Sequence, residues 1–192
     1  MKKKIIIIDN YDSFTYNLVH AVELLQGHTV DVCRNDEITI EQCGEYDYII
    51  ISPGPGIPEE SGHTLEIIRT YYKTKKIFGV CLGLQAIIVA MGGKLKNLPK
   101  VQHGIETEMI VKVSEPIYKG IKDIFIAGRY HSWVADMDTF PDTLAVNCVD
   151  HDGEIMGLYH REYPVYGVQF HPESIMTPDG NRMLENFLNL QA

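Results

Sequence analysis

The sequence predicts an α/β fold with a mixed, mainly parallel central sheet, and three observations carry that reading. The first half of the chain alternates short β-branched runs with longer amphipathic stretches, which is the pattern of strand–helix units with right-handed crossovers. The runs Ile5 to Ile8 and Tyr48 to Ile51 are continuously apolar instead of alternating, as in parallel strands covered on both faces. After Gly93 short alternating runs take over, which points to an antiparallel extension of the same sheet.

Ile5 to Ile8 is the first strand, and Asp9-Asn10-Tyr11-Asp12 turns the chain into a helix running to about Leu25, with Asp12 or Ser13 as its expected cap. Phe14, Leu18, Ala21, Val22 and Leu25 share one face of that helix. Gly27-His28 ends it, Val30 to Cys33 is the second strand, and Ile38 to Cys43 is a short helical piece. Tyr48 to Ile51 is the third strand, and Ser52-Pro53-Gly54-Pro55-Gly56 follows at once. Glu59-Glu60-Ser61 opens a helix expected to run through Tyr72, and Ile77 to Val80 is the fourth strand. Leu82 to Met91 is an apolar helix that Gly92-Gly93 stops. The extension comprises Thr107 to Val113, Asp123 to Ala127, Leu144 to Val149, Glu154 to His160 and Val165 to Phe170, with Asp152-Gly153 as a hairpin turn. A helix from Asn181 to Leu190 closes the chain. No repeat or linker divides the sequence, so residues 1–192 are read as a single domain.

Composition narrows the function. A hydrophobic content of 45% with 22% charged residues is that of a globular protein in water. The net charge of −9, with no basic stripe, argues against nucleic acid. Cys33, Cys43, Cys81 and Cys148 are scattered, with neither a disulfide framework nor zinc-ligand spacing, so a reducing compartment is the default. The apolar run before Asp9 is four residues long, too short for a signal peptide or a membrane span. The expectation is a cytoplasmic protein with no membrane partner.

Three stretches at strand ends carry chemistry: Asp9-Asn10, Ser52 to Gly56, and Cys81. Cys81 lies on a strand-to-helix turn flanked by glycine, Gly79-Val80-Cys81-Leu82-Gly83, which is the nucleophile-elbow pattern with sulfur in place of oxygen. The helix that follows aims free N–H groups at the sulfur and favours thiolate over thiol. A buried structural cysteine is the bland alternative. His171-Pro172-Glu173 follows an apolar strand, and its proline keeps the segment extended. His171 and Glu173, two apart, then point to one side, as a base and the carboxylate that orients it. A solvated strand end is the competing reading there. The glycines between prolines at 52–56 let a substrate approach the backbone, and their N–H groups with that of Leu82 suit an oxyanion hole. A plain turn would explain that loop alone; the three together are far more specific. Of the other histidines, His131 in Arg129-Tyr130-His131-Ser132-Trp133 is read as pocket lining.

Ser-Pro-Gly-Pro-Gly at 52–56, Gly-Val-Cys-Leu-Gly-Leu-Gln at 79–85 and Gln-Phe-His-Pro-Glu-Ser at 169–174 resemble the class I (triad) glutamine amidotransferases. The opening Ile8-Asp9-Asn10-Tyr11-Asp12-Ser13-Phe14-Thr15-Tyr16-Asn17-Leu18 is similar to the chorismate-linked branch, the small subunits of anthranilate synthase and aminodeoxychorismate synthase. The resemblance implies a three-layer, flavodoxin-like fold. It implies Cys81 as nucleophile, His171 as base and Glu173 as its orienting residue. Glutamine contacts are implied from Gly54, Pro55 and Gly56, from Leu82 in the oxyanion hole, and from Gln85, Ser132 and Trp133. The implied reaction is glutamine hydrolysis with ammonia delivered to a chorismate-binding synthase large subunit, in a heterodimer or heterotetramer. The texture around residues 101–104 and 129–133 leans toward anthranilate synthase, hence tryptophan biosynthesis. No cofactor is expected in this chain, with magnesium on the partner. Leu84 and Ile105 stand where this branch usually carries His and Lys, departures that bear on the interface or on coupling to the partner. Two rivals from other classes are a stand-alone Cys–His hydrolase and a receiver-like or nucleotide-binding module. The second would need a glycine loop after the first strand, and Asn10-Tyr11-Asp12-Ser13 has none.

Overall fold

In the computed structural model, which describes residues 3–190, all nine strands belong to one sheet. Strands β1 (Ile5–Asp9), β2 (Asp31–Arg34), β3 (Tyr48–Ile51) and β4 (Lys76–Val80) alternate with helices α1 (Thr15–Gln26), α2 (Ile40–Cys43), α3 (Thr64–Tyr71) and α4 (Leu82–Ala90). The second half supplies β5 (Leu95–Val111), β6 (Ile124–Ala135), β7 (Leu144–Val149), β8 (Ile155–His160) and β9 (Val165–Val168), then α5 (Gly180–Leu188). The sheet order is β2-β1-β3-β4-β9-β8-β7-β5-β6. The first five strands in that order run parallel, and every pairing from β9 to β6 is antiparallel.

The continuously apolar strands are explained by two cores, one on each face. Ile5, Ile7, Ile50, Phe78 and Val80 point to the face covered by α1 and α5, where Leu18, Val22 and Phe187 pack against them. Ile6, Ile8, Ile49, Ile51 and Ile77 point to the other, with Ile67, Ile68 and Ile87 of α3 and α4. Alternate side chains of one strand thus enter different layers, and no position is left for a polar residue.

One pairing positions the site. β9 begins about 85 residues after β4 in the chain yet lies beside it, with Val80 opposite Val168, so Cys81 and Gln169 emerge side by side. The Cys81 N–H donates to the Val168 carbonyl at 2.8 Å, which extends the ladder one residue into the elbow.

Several expected boundaries shift. The first helix starts at Thr15, and neither Asp12 nor Ser13 is its side-chain cap; Phe14 holds the cap position with no side-chain bond. Asp12 instead accepts from the Phe14 N–H at 2.7 Å, and Asp9 accepts from the Tyr11 N–H and the Thr15 hydroxyl, closing the turn before the helix begins. The helix expected from Glu59 to Tyr72 is two pieces, a 3₁₀ turn Pro58–Glu60 and α3. Gly62, at φ +54°, breaks them, and its backbone packs so closely on the Asn35 carbonyl that a Cβ would lie 2.7 Å from that oxygen. Strands β5 and β6 are much longer than the runs that announced them, because bulges near Asn97–Gln102 and His103–Ile105 interrupt β5, and in β6 the buried positions 129 and 131 carry Arg and His. Arg129 to Trp133 therefore lie within a strand. The final helix begins at Gly180 and ends at Leu188.

Candidate active site

The elbow at Cys81 is made by its glycines. Cys81 sits at φ +53°, ψ −102°, a conformation an L-residue adopts only when its surroundings impose it. A Cβ on Gly79 would stand 2.4 Å from the Gly83 carbonyl carbon, and one on Gly83 would stand 2.6 Å from the Ile51 carbonyl oxygen. Both glycines let α4 start directly over the strand ends. The sulfur thus sits at the head of a nine-residue helix, beside first-turn N–H groups that have no intrahelical partner.

His171 and Glu173 lie behind the sulfur. Glu173 Oε1 is 2.7 Å from His171 Nδ1, with both side chains buried, so the ring donates from Nδ1 and turns Nε2 the other way. Nε2 has no conventional hydrogen-bond partner. Burial pushes the His171 pKa down, but the Cys81 sulfur and the Glu173 carboxylate outweigh it and raise the pKa to about 10. The ring is thereby held protonated at neutral pH, between a carboxylate and a sulfur able to carry charge. Its backbone is fixed by the His171 N–H donating to Gly128 and by the Thr177 hydroxyl donating to the His171 carbonyl at 2.7 Å. Phe14 and Tyr130 stand edge-on to the imidazole at centroid distances of 5.6 and 4.9 Å.

In front of the sulfur is a cavity of about 140 Å³. Gly54, Pro55 and Gly56 form one wall, Ser132 and Trp133 the other, and Gln85 and Cys81 lie between them with His131 and Tyr130. The Gly54 loop is pressed onto the elbow: a Cβ there would fall 2.5 Å from Asn10 Cβ and 2.6 Å from Leu82 Cδ2. Asn10 clamps that loop, its N–H donating to the Ser52 hydroxyl at 2.9 Å and its Nδ2 to the Ser52 carbonyl at 2.8 Å. Asn35 and Thr64 both donate to Asn10 Oδ1, which fixes the amide's orientation. The Asp9-Asn10 strand end noted in the sequence is thus the support of the neighbouring loop.

All the site residues expected from the sequence therefore gather at the carboxyl ends of β3, β4 and β9 and along β6. Gln85 is more constrained than expected. Its Nε2 donates to the Trp133 carbonyl at 2.9 Å and to Gln169 Oε1 at 3.2 Å, which leaves Oε1 as the atom able to meet a substrate donor. His131 does line the pocket, and burial beside the Arg129 guanidinium lowers its pKa to about 3, so it is a neutral ring. Sequence reasoning missed Phe14, Tyr130 and Gln169 as site residues. Only Gln169 had a local signal, its place in the Gln-Phe-His-Pro-Glu run. Leu84 is fully buried against Gly167 and so cannot reach an interface, whereas Ile105 is exposed on β5. Among the described residues no group of three or more His, Cys, Asp or Glu side chains is placed to hold a metal ion, and no helix is long and apolar enough to cross a membrane.

The family model for glutamine amidotransferase class-I matches residues 6–190. The chain belongs to this family. It is 45% identical over 186 residues to the aminodeoxychorismate/anthranilate synthase component 2 of Bacillus subtilis, covering 96% of this chain and 95% of that protein. It is 47% identical to the anthranilate synthase component 2 of Saccharolobus solfataricus, covering 96% and 97%. It is also 45% identical to the bifunctional protein TrpGD of Thermotoga maritima, covering 98% of this chain but only 32% of that longer one. A Thermoplasma acidophilum protein proposed to be part of a GMP synthase has the same fold, with a TM-score of 0.87 at 24% identity over 98% of this amidotransferase chain and 93% of the other.

Proposed function

We propose that this chain, a single amidotransferase domain spanning residues 1–192, hydrolyses glutamine at Cys81 and passes ammonia to a chorismate-using anthranilate synthase subunit. The observation that carries the hydrolysis is the conjunction of an elbow sulfur, a buried His171 hydrogen-bonded to Glu173 and raised toward its protonated form, and a small backbone-walled cavity. In the proposed reaction the Cys81 thiolate attacks the side-chain carboxamide carbon. The oxyanion rests on N–H groups of the Gly54–Gly56 loop and Leu82. His171 donates its proton to the departing ammonia, then takes one from the water that opens the thioester and releases glutamate. Glu173 holds the ring for both transfers. Ser132, Trp133 and Gln85 Oε1 are assigned to holding the amino-acid end of the substrate.

The choice of synthase is supported by the names of the relatives, among them anthranilate synthase component 2 at 47% identity. A second reading, aminodeoxychorismate synthase, is favoured by one specific observation: the Bacillus subtilis relative carries both names. The partner is proposed to form a heteromer with this chain and to supply the chorismate site and its magnesium. The test is reconstitution with each large subunit from the same host, measuring product formed from chorismate with glutamine as nitrogen source. Anthranilate is the expected product. Aminodeoxychorismate without anthranilate would overturn the partner assignment and leave the glutaminase standing.

A further inference from the structure

The proposed hydrolysis gives the Cys81 sulfur one side-chain partner, His171, but a second polar group reaches it. Gln169 is fully buried, and its Nε2 lies 3.5 Å from Cys81 Sγ in donor geometry. The β4–β9 register brings it there, since Val80 and Val168 are opposite and the next residue of each strand end is Cys81 and Gln169. A carboxamide is ambivalent: its N–H end stabilises a thiolate, and its oxygen end repels one. Which end faces the sulfur therefore decides what Gln169 does.

A buried chain of hydrogen bonds removes the ambiguity at the Trp133 carbonyl, which can only accept, and Arg129 and His131 hold that carbonyl in place. Arg129, ion-paired with Asp150 at 2.7 Å, offers Nε–H to His131 Nε2 at 3.1 Å. Arginine has no acceptor, so His131 Nε2 must accept and its proton must sit on Nδ1, which donates to the Trp133 carbonyl at 3.1 Å. That carbonyl can only accept, so Gln85 meets it with Nε2 and turns the second hydrogen of the same nitrogen to Gln169 Oε1. With its oxygen so engaged, Gln169 has only its N–H end for Cys81.

We propose that Gln169 is a catalytic residue of the glutaminase, a fixed N–H donor to the Cys81 thiolate, and that Arg129, His131 and Gln85 are positioning residues that hold it in the donor orientation. The proposal rests on the reading of Cys81 as nucleophile. A charge-assisted bond of this kind stabilises the sulfur anion while the site waits for substrate, and it weakens when the thioester forms and the charge is gone. The donor thus adds to His171, and it keeps its proton throughout.

The test is alkylation of the full chain by iodoacetamide across pH, with the modified peptide identified by mass so that Cys81 is distinguished from Cys33, Cys43 and Cys148. Gln169→Met keeps the length and loses the donor. Its Cys81 alkylation profile is expected to move up by about one pH unit, so that on the rising limb of the profile the rate falls roughly tenfold. Gln85→Met leaves Gln169 in place but unlocks its amide, and a smaller shift in the same direction is expected. In the reconstituted complex, Gln169→Met should lower kcat for glutamine with little change in KM. A folded Gln169→Met chain with the wild-type alkylation profile overturns the proposal. If that variant does not fold, an unshifted Gln85→Met profile overturns it instead. A wild-type Cys81 no more reactive than Cys33 would sink the nucleophile reading itself, which is a separate result.

Discussion

His131 lines the small cavity and His171 lies behind the Cys81 sulfur, and their surroundings drive the two rings in opposite directions. Burial and the Arg129 charge lower the His131 pKa from 6.5 to about 3, while the Cys81 sulfur and Glu173 overcome burial to raise that of His171 to about 10. For His131 the sign follows from linkage. Between pH 6.5 and 3 the unfolded chain takes a proton at this residue that the folded chain refuses, so stability falls as pH falls through that window. The loss is on the order of a few kcal/mol at its low end. Urea midpoints measured from pH 7 to 4 should decline, and His131→Gln should flatten the decline; an equal slope in the variant would contradict this account. His171 has the reverse sign, its contribution complete below pH 6.5 and lost as pH rises through about 10. In catalysis, Cys81→Ala should abolish glutamine-dependent product in the complex and spare the ammonia-dependent reaction. His171→Ala should cost more than Glu173→Ala, because the proton carrier matters more than its orientation. Retained glutaminase in Cys81→Ala would remove the sulfur from the mechanism.

Among the secondary elements, the strand–helix joints hold the least slack. Gly79 and Gly27 illustrate two different reasons for glycine. Gly27 ends α1 at φ +68° with nothing near a would-be Cβ, so alanine there meets only backbone strain, about 1–2 kcal/mol. At Gly79 a Cβ would meet the Gly83 backbone at 2.4 and 2.5 Å, which no side-chain rotation can relieve. Gly79→Ala should therefore destabilise by roughly 3 kcal/mol or more as the helix is pushed off the strand ends. It should also lose glutaminase activity, since the same helix carries Leu82 and Gln85. Chemical denaturation of the two variants side by side checks the order, and equal costs would mean the elbow relaxes more easily than its packing indicates.

For the whole molecule, the decisive fact is that the parallel and antiparallel halves meet at β9. β4 pairs with β9 on one side and β8 pairs with it on the other, so Cys81 and His171 come from opposite halves of the chain and meet at their boundary. The cavity in front of Cys81 opens at the carboxyl ends of the parallel strands, with Pro55 and Gly56 exposed at its rim. A partner that orders this rim would complete the pocket and couple hydrolysis to ammonia use. The isolated chain is expected to hydrolyse glutamine weakly and to be stimulated at least roughly tenfold by its synthase partner, as measured by glutamate release. Full turnover by the chain alone would favour a stand-alone hydrolase.

The sequence by itself determined the local elements and the chemistry-bearing types. Four isoleucines in a row at Ile5 to Ile8 have no polar face to offer water, so a strand buried on both sides followed directly. Glycines around Cys81 announced a tight turn, because only their missing Cβ atoms explain them. His-Pro-Glu announced a base paired with a carboxylate, and the 2.7 Å bond between those side chains agrees. The segment is not the extended one expected, however: residues 171–174 form a turn in which the Ser174 N–H donates to the His171 carbonyl, and that turn brings the two side chains together. The tertiary structure alone decided everything that depends on register between distant segments. No periodicity could tell that β9 would insert between β4 and β8, and that choice sets Gln169 beside Cys81 and Gly128 beside His171. Nor could Arg129 to Trp133 be read as strand, since Arg129 and His131 hold the buried positions where alternation would show apolar residues. The buried chain from Arg129 to Gln169 joins β6, α4 and the end of β9, segments far apart in sequence. Hydrogen-bond direction along it depends on who faces whom, which is a property of packing and not of composition.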